Sequence, residues 1–333
     1  MGRRVSGAGV TLAGVAIDVL PAKTRQGRGT ALIVLSALFF STSGTLGKPT
    51  MVAGLTPQQV AAVRLGLSAL VLFAAVGIVK PSILKVGKGE WRLLIAYGLI
   101  GVGGIQLVYF IATSRIPVGI AILLEFVSPV LIALWTRFVR KVHLAKAVWG
   151  GIALAMIGLI LVAQVWQGLR LDALGLLAGF GAALCSAGYF LIGERGLASR
   201  HPLGMVTWGM GIGALAVCVV APPWTIPVRV LTEPAVIGPW HPPVWVALVA
   251  LMLVGTVLAY LAGISALQYL PAAIASVLGL VEVILANILA WILLGEALTV
   301  VQAVGAVVLL AGATLVQLKS PDHQVAIGEP LPG

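Results

Sequence analysis

Residues 116–140 read IPVGIAILLEFVSPVLIALWTRFVR, and Arg137 is the first basic residue in this stretch. From Ile116 to Thr136 the side chains are almost all apolar or small, and Glu125 is the only charged one. About 20 such residues are what about 30 Å of hydrocarbon requires of a helix that rises about 1.5 Å per residue. The stretch therefore predicts a membrane-spanning helix with an acid near its middle.

The rest of the chain has the same character. Hydrophobic residues make up 60% of the 333 positions, charged residues only 9%, and the mean hydropathy is +1.11. A soluble domain carries roughly 25% charged residues. The apolar stretches predict membrane-spanning helices at residues 30–49, 57–79, 91–112, 116–137, 142–164, 172–192, 203–222, 243–267, 271–294 and 299–318. These continuous apolar runs lack the period-2 alternation of a membrane barrel, so we predict an all-α integral membrane protein with ten transmembrane helices.

The net charge of +11 has two interpretations, nucleic-acid binding or membrane topology. With the N-terminus inside, 16 of the 21 Lys and Arg residues lie on the cytoplasmic side, as the positive-inside rule requires. This distribution favours topology over nucleic acid and predicts a multi-pass protein of a bacterial-type inner membrane, with both termini cytoplasmic. We interpret residues 1–28 as a cytoplasmic tail, because no clear small-residue cleavage site marks a signal peptide. Residues 319–333 form the second tail.

An internal repeat is visible when the chain is compared with itself. An offset of 154 aligns Pro117 with Pro271 and Gly158 with Gly312 without a gap. An offset of 146 aligns residues 36–48 with residues 182–194. We therefore predict two five-helix repeats, at residues 29–165 and 171–318. Because five is odd, the second repeat would enter the membrane from the opposite side, which is the inverted-repeat architecture of many secondary transporters.

Three ionisable residues lie well inside predicted helices, namely Arg64, Glu125 and Glu282. A charge within the membrane costs at least about 2.5 kcal/mol and indicates a functional site by default. The offset of 154 aligns Ser128 with Glu282, so the two acids are three residues apart on equivalent helices and share a face. Such carboxyl groups could exchange protons or hold a substrate ammonium group. The alternative is a neutral acid, or one paired with Arg64, that only fixes helix packing.

Further polar side chains lie within the predicted helices. Gln106 and Tyr109 are three residues apart and share a face, and Tyr189 and Asn287 lie in helices six and nine. We predict that these four residues line a substrate-binding cavity together with the two acids. Interhelical hydrogen bonds are an equally common role for such residues, and Tyr260 and Gln268 are open to the same two interpretations.

The motifs of an intramembrane enzyme are missing from the sequence. There is no HExxH motif, and all four histidines lie in predicted loops, at helix ends or in the tail. Cys185 and Cys218 lie inside predicted helices and form neither a CxxC motif nor a disulfide framework. The glycine clusters at residues 101–104 and 209–213 are followed by no Lys-Ser/Thr, so they indicate close helix contacts. We therefore predict no enzyme activity, no metal and no cofactor.

Residues 116–140 and the stretch LGLVEVILANILAWILLGEALTVVQAVGAVVLLAG at residues 278–312 resemble the EamA family of the drug/metabolite transporter superfamily. The likeness extends from about residue 30 to residue 318. The runs GGIQLVYF (103–110) and VGIAILLEF (118–126) are most similar to the threonine/homoserine exporter branch. The resemblance implies a ten-helix inverted-repeat carrier that exports amino acids or related metabolites, coupled to protons.

The resemblance also implies roles for individual residues. Glu125 falls on the glutamate of that branch's helix-four motif, and Glu282 on the acid of its MEP-like motif in helix nine. Val283 stands where that motif has proline, whereas Pro129 retains the equivalent proline in the first half. Glu296 matches a structural GE-x-LT turn.

We therefore expect an exporter of small amino-acid-like solutes in which Glu125 and Glu282 handle the substrate ammonium group and protons. Its partners would be the small-molecule substrate, protons and the lipid bilayer. Two alternatives remain open at this point. The cargo could be a cationic drug or a nucleobase, since a midplane acid also suits other cations, or the chain could be a passive channel or a structural membrane protein.

Overall fold

The computed structural model describes residues 22–116, 118–164, 166, 172–295 and 299–319, in which all regular structure apart from two isolated β-bridges is helical. Within these ranges ten stretches are long and apolar enough to cross a membrane. They are Gln26–Val52, Pro57–Val79, Trp91–Thr113, Ile120–Phe138, Lys146–Ala163, Ala173–Gly196, Pro202–Val220, Val244–Ala266, Ala272–Leu293 and Val300–Leu318. Each end lies within four residues of its predicted position, which confirms the fold class. Pro117, Glu296 and most of both tails lie outside the described residues.

These ten spans are built from fourteen α-helices. The first two spans are α1 (Ala22–Val52) and α2 (Pro57–Val79), and the third joins α3 (Trp91–Ala96), a π-helical segment (Tyr97–Gly104) and α4 (Ile105–Thr113). The fourth span comprises α5 (Val118–Glu125) and α6 (Ser128–Phe138), and the next three are α7 (Lys146–Ala163), α8 (Ala173–Gly196) and α9 (Pro202–Val220). The eighth joins α10 (Val244–Met252), a π-helical segment (Leu253–Leu258) and α11 (Ala259–Ala266). The ninth comprises α12 (Ala272–Gly279) and α13 (Val281–Leu294), and the tenth is α14 (Val300–Lys319).

The interruptions of the spans recur at corresponding positions in the two halves of the chain. Shifting the first π-helical segment by 154 residues places it at 251–258, where it overlaps the second segment. The same shift moves the break after Glu125 to residue 280, which separates α12 from α13. Irregular helix at membrane depth is tolerated where it is enclosed by protein or lines a cavity. Both halves therefore carry matching irregularities in the spans that contain the predicted site.

Glycines allow α7 and α14 to pack backbone against backbone. A Cβ placed on Gly151 would lie 2.9 Å from the Gly312 carbonyl oxygen, and one on Gly158 would lie 2.7 Å from the Gly305 carbonyl oxygen. Small residues permit this close approach between membrane helices. Because the lower-numbered glycine of α7 meets the higher-numbered glycine of α14, the two helices run antiparallel.

The glycine clusters also lie at helix contacts, as predicted. A Cβ on Gly103 would lie 3.0 Å from the Gly213 carbonyl oxygen, and one on Gly209 would lie 2.5 Å from a ring carbon of Tyr97. Large apolar side chains such as Leu70 and Val219 project outward from the bundle, where a lipid environment would cover them. The chain is a multi-pass helical membrane protein.

Candidate functional site

The two predicted acids lie at the two helix breaks. Glu125 is the last residue of α5, and Glu282 is the second residue of α13. At both breaks the backbone tightens to three-residue hydrogen bonds, from the Val127 N–H to the Leu124 carbonyl and from the Leu280 N–H to the Val277 carbonyl, each 3.1 Å. Discontinuous helices of this kind form substrate sites in secondary transporters. The breaks therefore place both carboxyl groups where the regular helix is interrupted.

The ninth span keeps its break although Val283 replaces the proline of the family motif. The Val283 N–H donates to the Leu280 carbonyl at 3.1 Å, a hydrogen bond that proline could not make. In the fourth span Pro129 lies in the first turn of α6, directly after the break. The interruption in the ninth span therefore forms without proline, through a short turn at Leu280.

Arg64 of α2 lies within electrostatic range of both acids, and the acids also interact with each other. All three side chains are half-buried. Arg64 is in none of the ion pairs between described residues, for which N and O lie within 4.0 Å, and its Nε atom is buried without a hydrogen-bond partner. Arg64 is therefore near both acids but, among the described residues, in direct contact with neither. Among the described residues no salt bridge joins Arg64 to either acid, so the form of the packing interpretation in which an acid pairs directly with Arg64 is not observed.

Gln106 and two tyrosines adjoin this group of charges. Tyr109 is within electrostatic range of both acids, and the Gln106 side chain lies near the Tyr260 hydroxyl. Tyr260 is itself within range of Arg64, Glu125 and Glu282. The offset of 154 maps position 106 onto position 260, so the two halves contribute corresponding residues that meet at one place. The polar group thus draws on the second, third, fourth, eighth and ninth spans.

Aromatic rings form a wall beside the charges. The Tyr189 ring centroid lies 5.8 Å from that of Tyr97 and 5.6 Å from that of Tyr260, and Phe40 packs edge-on against Tyr260 at 5.0 Å. The hydroxyls of Tyr97 and Tyr189 are buried and have no hydrogen-bond partner among the described residues. The two hydroxyls lie near each other and interact with each other, so each is a polar neighbour of the other in this wall.

Asn287 is not brought into this group. Its Nδ2 atom donates to the Val283 carbonyl at 2.7 Å, and its Oδ1 atom accepts from Gln302 Nε2 at 3.3 Å. Gln302 forms a capping box with Thr299 at the start of α14. Asn287 therefore connects α13 with the start of α14.

Sequence reasoning missed two residues of the group. The sequence identifies Arg64 as an ionisable residue at membrane depth but predicts no substrate-binding role for it, and it does not single out Tyr97. The exceptional cost of an arginine at membrane depth was the available signal for the first. Tyr97 lies at the start of a π-helical segment, which the sequence did not predict. Within the described residues no cluster of three or more His, Cys, Asp or Glu could hold a metal ion.

Comparison with known proteins agrees with this architecture. The chain matches the EamA-like transporter family at residues 27–164 and again at residues 173–318, and each match covers five of the spans. The chain therefore belongs to the EamA-like transporter family. It is a membrane transporter and not an enzyme, and the predicted family membership is confirmed.

Several named proteins are similar to this chain over most of its length. Threonine/homoserine exporter RhtA of Escherichia coli (strain K12) is 31% identical over 260 residues, which are 77% of this chain and 81% of that one. RhtA of Salmonella typhimurium (strain LT2) is 28% identical over 295 residues, 87% of this chain and 93% of that one. The uncharacterized transporter YyaM of Bacillus subtilis (strain 168) is 27% identical over 285 residues, 83% and 89% of the two chains.

One solved structure, described only as a crystal structure of a protein, has a TM-score of 0.72 with this fold. The match covers 88% of this chain and 97% of that chain, at 19% sequence identity. At this identity the likeness concerns the fold alone.

Proposed function

We propose that this protein is a proton-coupled exporter of small amino acids or related metabolites, located in a bacterial-type inner membrane with both termini cytoplasmic. The observation that carries the proposal is the position of Glu125 and Glu282 at corresponding helix breaks, half-buried and within electrostatic range of each other. The similarity to the RhtA exporters supports the choice of cargo. Gln106, Tyr109 and Tyr189 shape the cavity, and Asn287 holds α13 in position beside it.

Alternating access requires two halves that can rock about a shared site. The pairing of Gly151 with Gly312 and of Gly158 with Gly305 supports an inverted repeat, since the offset of 154 exchanges the two pairs. The helices α7 and α14 correspond to each other in the two repeats, and they run antiparallel. A two-fold axis that lies across the bundle would relate two such helices, as in an inverted repeat. The acids then approach the solute from opposite halves, one holding the ammonium group while the other exchanges a proton.

Purified protein in vesicles with an acidic lumen tests the proposal. Outward flow of protons should drive labelled threonine or homoserine into the lumen, whichever way the protein is inserted. We expect Glu125→Gln to reduce this accumulation at least about tenfold, because the amide cannot exchange a proton. Glu233→Gln is the control, since Glu233 is half-exposed in the segment between the seventh and eighth spans, beside Arg229. Undiminished accumulation by correctly folded Glu125→Gln protein would sink the proposed role of this residue.

Counterflow separates a carrier from a channel or a structural protein. Unlabelled threonine inside the vesicles should draw labelled threonine inward against its own gradient, which only a carrier with alternating access can do. Dissipation without counterflow would indicate a channel. Counterflow with a cationic drug or a nucleobase, but with no amino acid, would show that the proposed cargo is wrong. The proposed carrier mechanism would stand.

A further inference from the structure

We infer that Arg64 binds the carboxylate of the transported solute, so that the site is built for a zwitterion and not for a simple cation. The inference rests on the proposed function and deepens it, because it assigns each charged end of the solute to a named residue. Arg64 takes the carboxylate, and one of the two acids takes the ammonium group.

Among the described residues, the guanidinium of Arg64 has no direct ionic partner. An arginine side chain stays protonated in proteins and offers five N–H donors in a planar fork. Here the Nε atom is buried and unpartnered, and no described carboxylate lies within 4.0 Å of the guanidinium. A buried donor without an acceptor is unfavourable, and a carboxylate matches the arginine fork in a bidentate manner. The unmet donor is thus complementary to a carboxylate-bearing solute.

The balance of charge favours the same ligand. Glu125, Glu282 and Tyr260 are the groups within electrostatic range of Arg64. With one acid ionised and the other protonated, the empty group is neutral, and a zwitterion keeps it neutral by adding one charge of each sign. In that same state, a solute with only a positive charge would leave the group with a net positive charge near Arg64, which repulsion disfavours. A neutral nucleobase would leave the guanidinium without an anion.

The arginine also breaks the symmetry between the two halves. Pro57 and Pro202 lie in the first turns of α2 and α9, and with these prolines aligned Arg64 corresponds to Gly209. At Gly209 the absent side chain leaves room for the Tyr97 ring, at 2.5 Å from a hypothetical Cβ. Arg64 therefore has no side-chain counterpart at the equivalent position of the second half. A single cation in a pseudo-symmetric site would orient the solute, because only one side can accept its carboxylate.

The test compares solutes that differ only at the carboxylate. Full-length protein in vesicles is assayed for counterflow of labelled threonine, with unlabelled threonine or threoninamide as competitor. For the wild-type protein, we expect threoninamide, which keeps the ammonium group, to compete at least about tenfold more weakly than threonine. Arg64→Gln should lower the apparent affinity for threonine at least about tenfold and remove this preference. Arg64→Lys keeps the charge but loses the planar fork, so its apparent affinity should be intermediate. Arg229→Gln is the control, because its side chain is 92% exposed in a loop.

Equal competition by threonine and threoninamide on the wild-type protein would overturn the inference, and this result needs no variant to fold. A folded Arg64→Gln protein with wild-type threonine affinity would overturn it as well. In both cases threonine transport itself would persist, so the proposed function would stand. An absence of counterflow with every amino acid in the wild-type protein would reject the proposed function and the inference together.

Discussion

Arg140 and Glu194 form an ion pair with 2.5 Å between Nη1 and Oε2, and this pair joins the end of the fourth span to the sixth. The second carboxylate oxygen of Glu194 accepts a hydrogen bond from the Ala272 N–H at 3.0 Å, at the start of α12. Glu194 thus connects three spans at one end of the bundle, including both of the spans that contain a helix break. The contact is a link between the two halves of the chain, since Arg140 lies in the first half.

Replacing Glu194 should separate its two roles. Glu194→Ala removes both the ion pair and the acceptor at the start of α12, and we expect it to lower the free energy of unfolding by about 1–2 kcal/mol. Glu194→Gln keeps a carbonyl oxygen for Ala272 and should lose less. Thermal unfolding in detergent measures both, with Glu233→Gln, at a half-exposed position, as the control. Equal losses for the two Glu194 variants would show that the hydrogen bond to Ala272 contributes nothing.

The contact between α7 and α14 should not tolerate even a methyl group. A Cβ on Gly158 would clash with the Leu309 backbone nitrogen, and a backbone atom cannot move aside as a side chain can. We expect Gly158→Ala to destabilise the protein by about 1–3 kcal/mol, as overpacking does. Gly150 lies on the same helix with nothing within 4 Å of its hypothetical Cβ, so Gly150→Ala is the matched control. Equal thermal stability of the two variants would contradict the close helix contact.

Restoring the family proline should be tolerated. Val283→Pro removes one hydrogen bond, from the Val283 N–H to the Leu280 carbonyl, and we expect a loss of about 1 kcal/mol with folding retained. Leu289→Pro, in the middle of α13, should cost about 3 kcal/mol or more because the ring clashes with the preceding turn. Fluorescence-detected size exclusion and thermal unfolding compare the two. A misfolded Val283→Pro protein would mean that the break at Leu280 differs in kind from the one beside Pro129.

Asn287 should act on stability more than on affinity. Because its side chain is bonded to Val283 and Gln302, Asn287→Ala and Gln302→Ala should each lower stability by about 1 kcal/mol. In the double variant the losses should be less than additive, since both single changes remove the same contact. The apparent affinity for threonine in counterflow should stay close to that of the wild type. A large loss of affinity in Asn287→Ala but not in Gln302→Ala would instead place Asn287 in contact with the solute.

Much of the fold followed from local chemistry. The ten spans could be predicted because the hydrocarbon thickness sets a minimum apolar length, and each run in the sequence meets it independently of the others. The depth of Glu125 and Glu282 in the membrane could be predicted in the same way, from their positions within these apolar runs. Their approach to each other was predictable only because the repeat offset aligns their helices.

The sequence by itself therefore determined the helical class, the number of spans and the two acids at membrane depth, since these depend on neighbours along the chain. Only the tertiary structure decided where the spans break, that Arg64 lies near both acids with no ionic partner among the described residues, and that Asn287 bonds to Gln302. These relationships depend on contacts between spans far apart in sequence, and hydropathy carries no information about which polar faces meet. The contacts of Gly151 with Gly312 and of Gly158 with Gly305 are likewise a property of packing, although the glycines themselves are visible in the sequence.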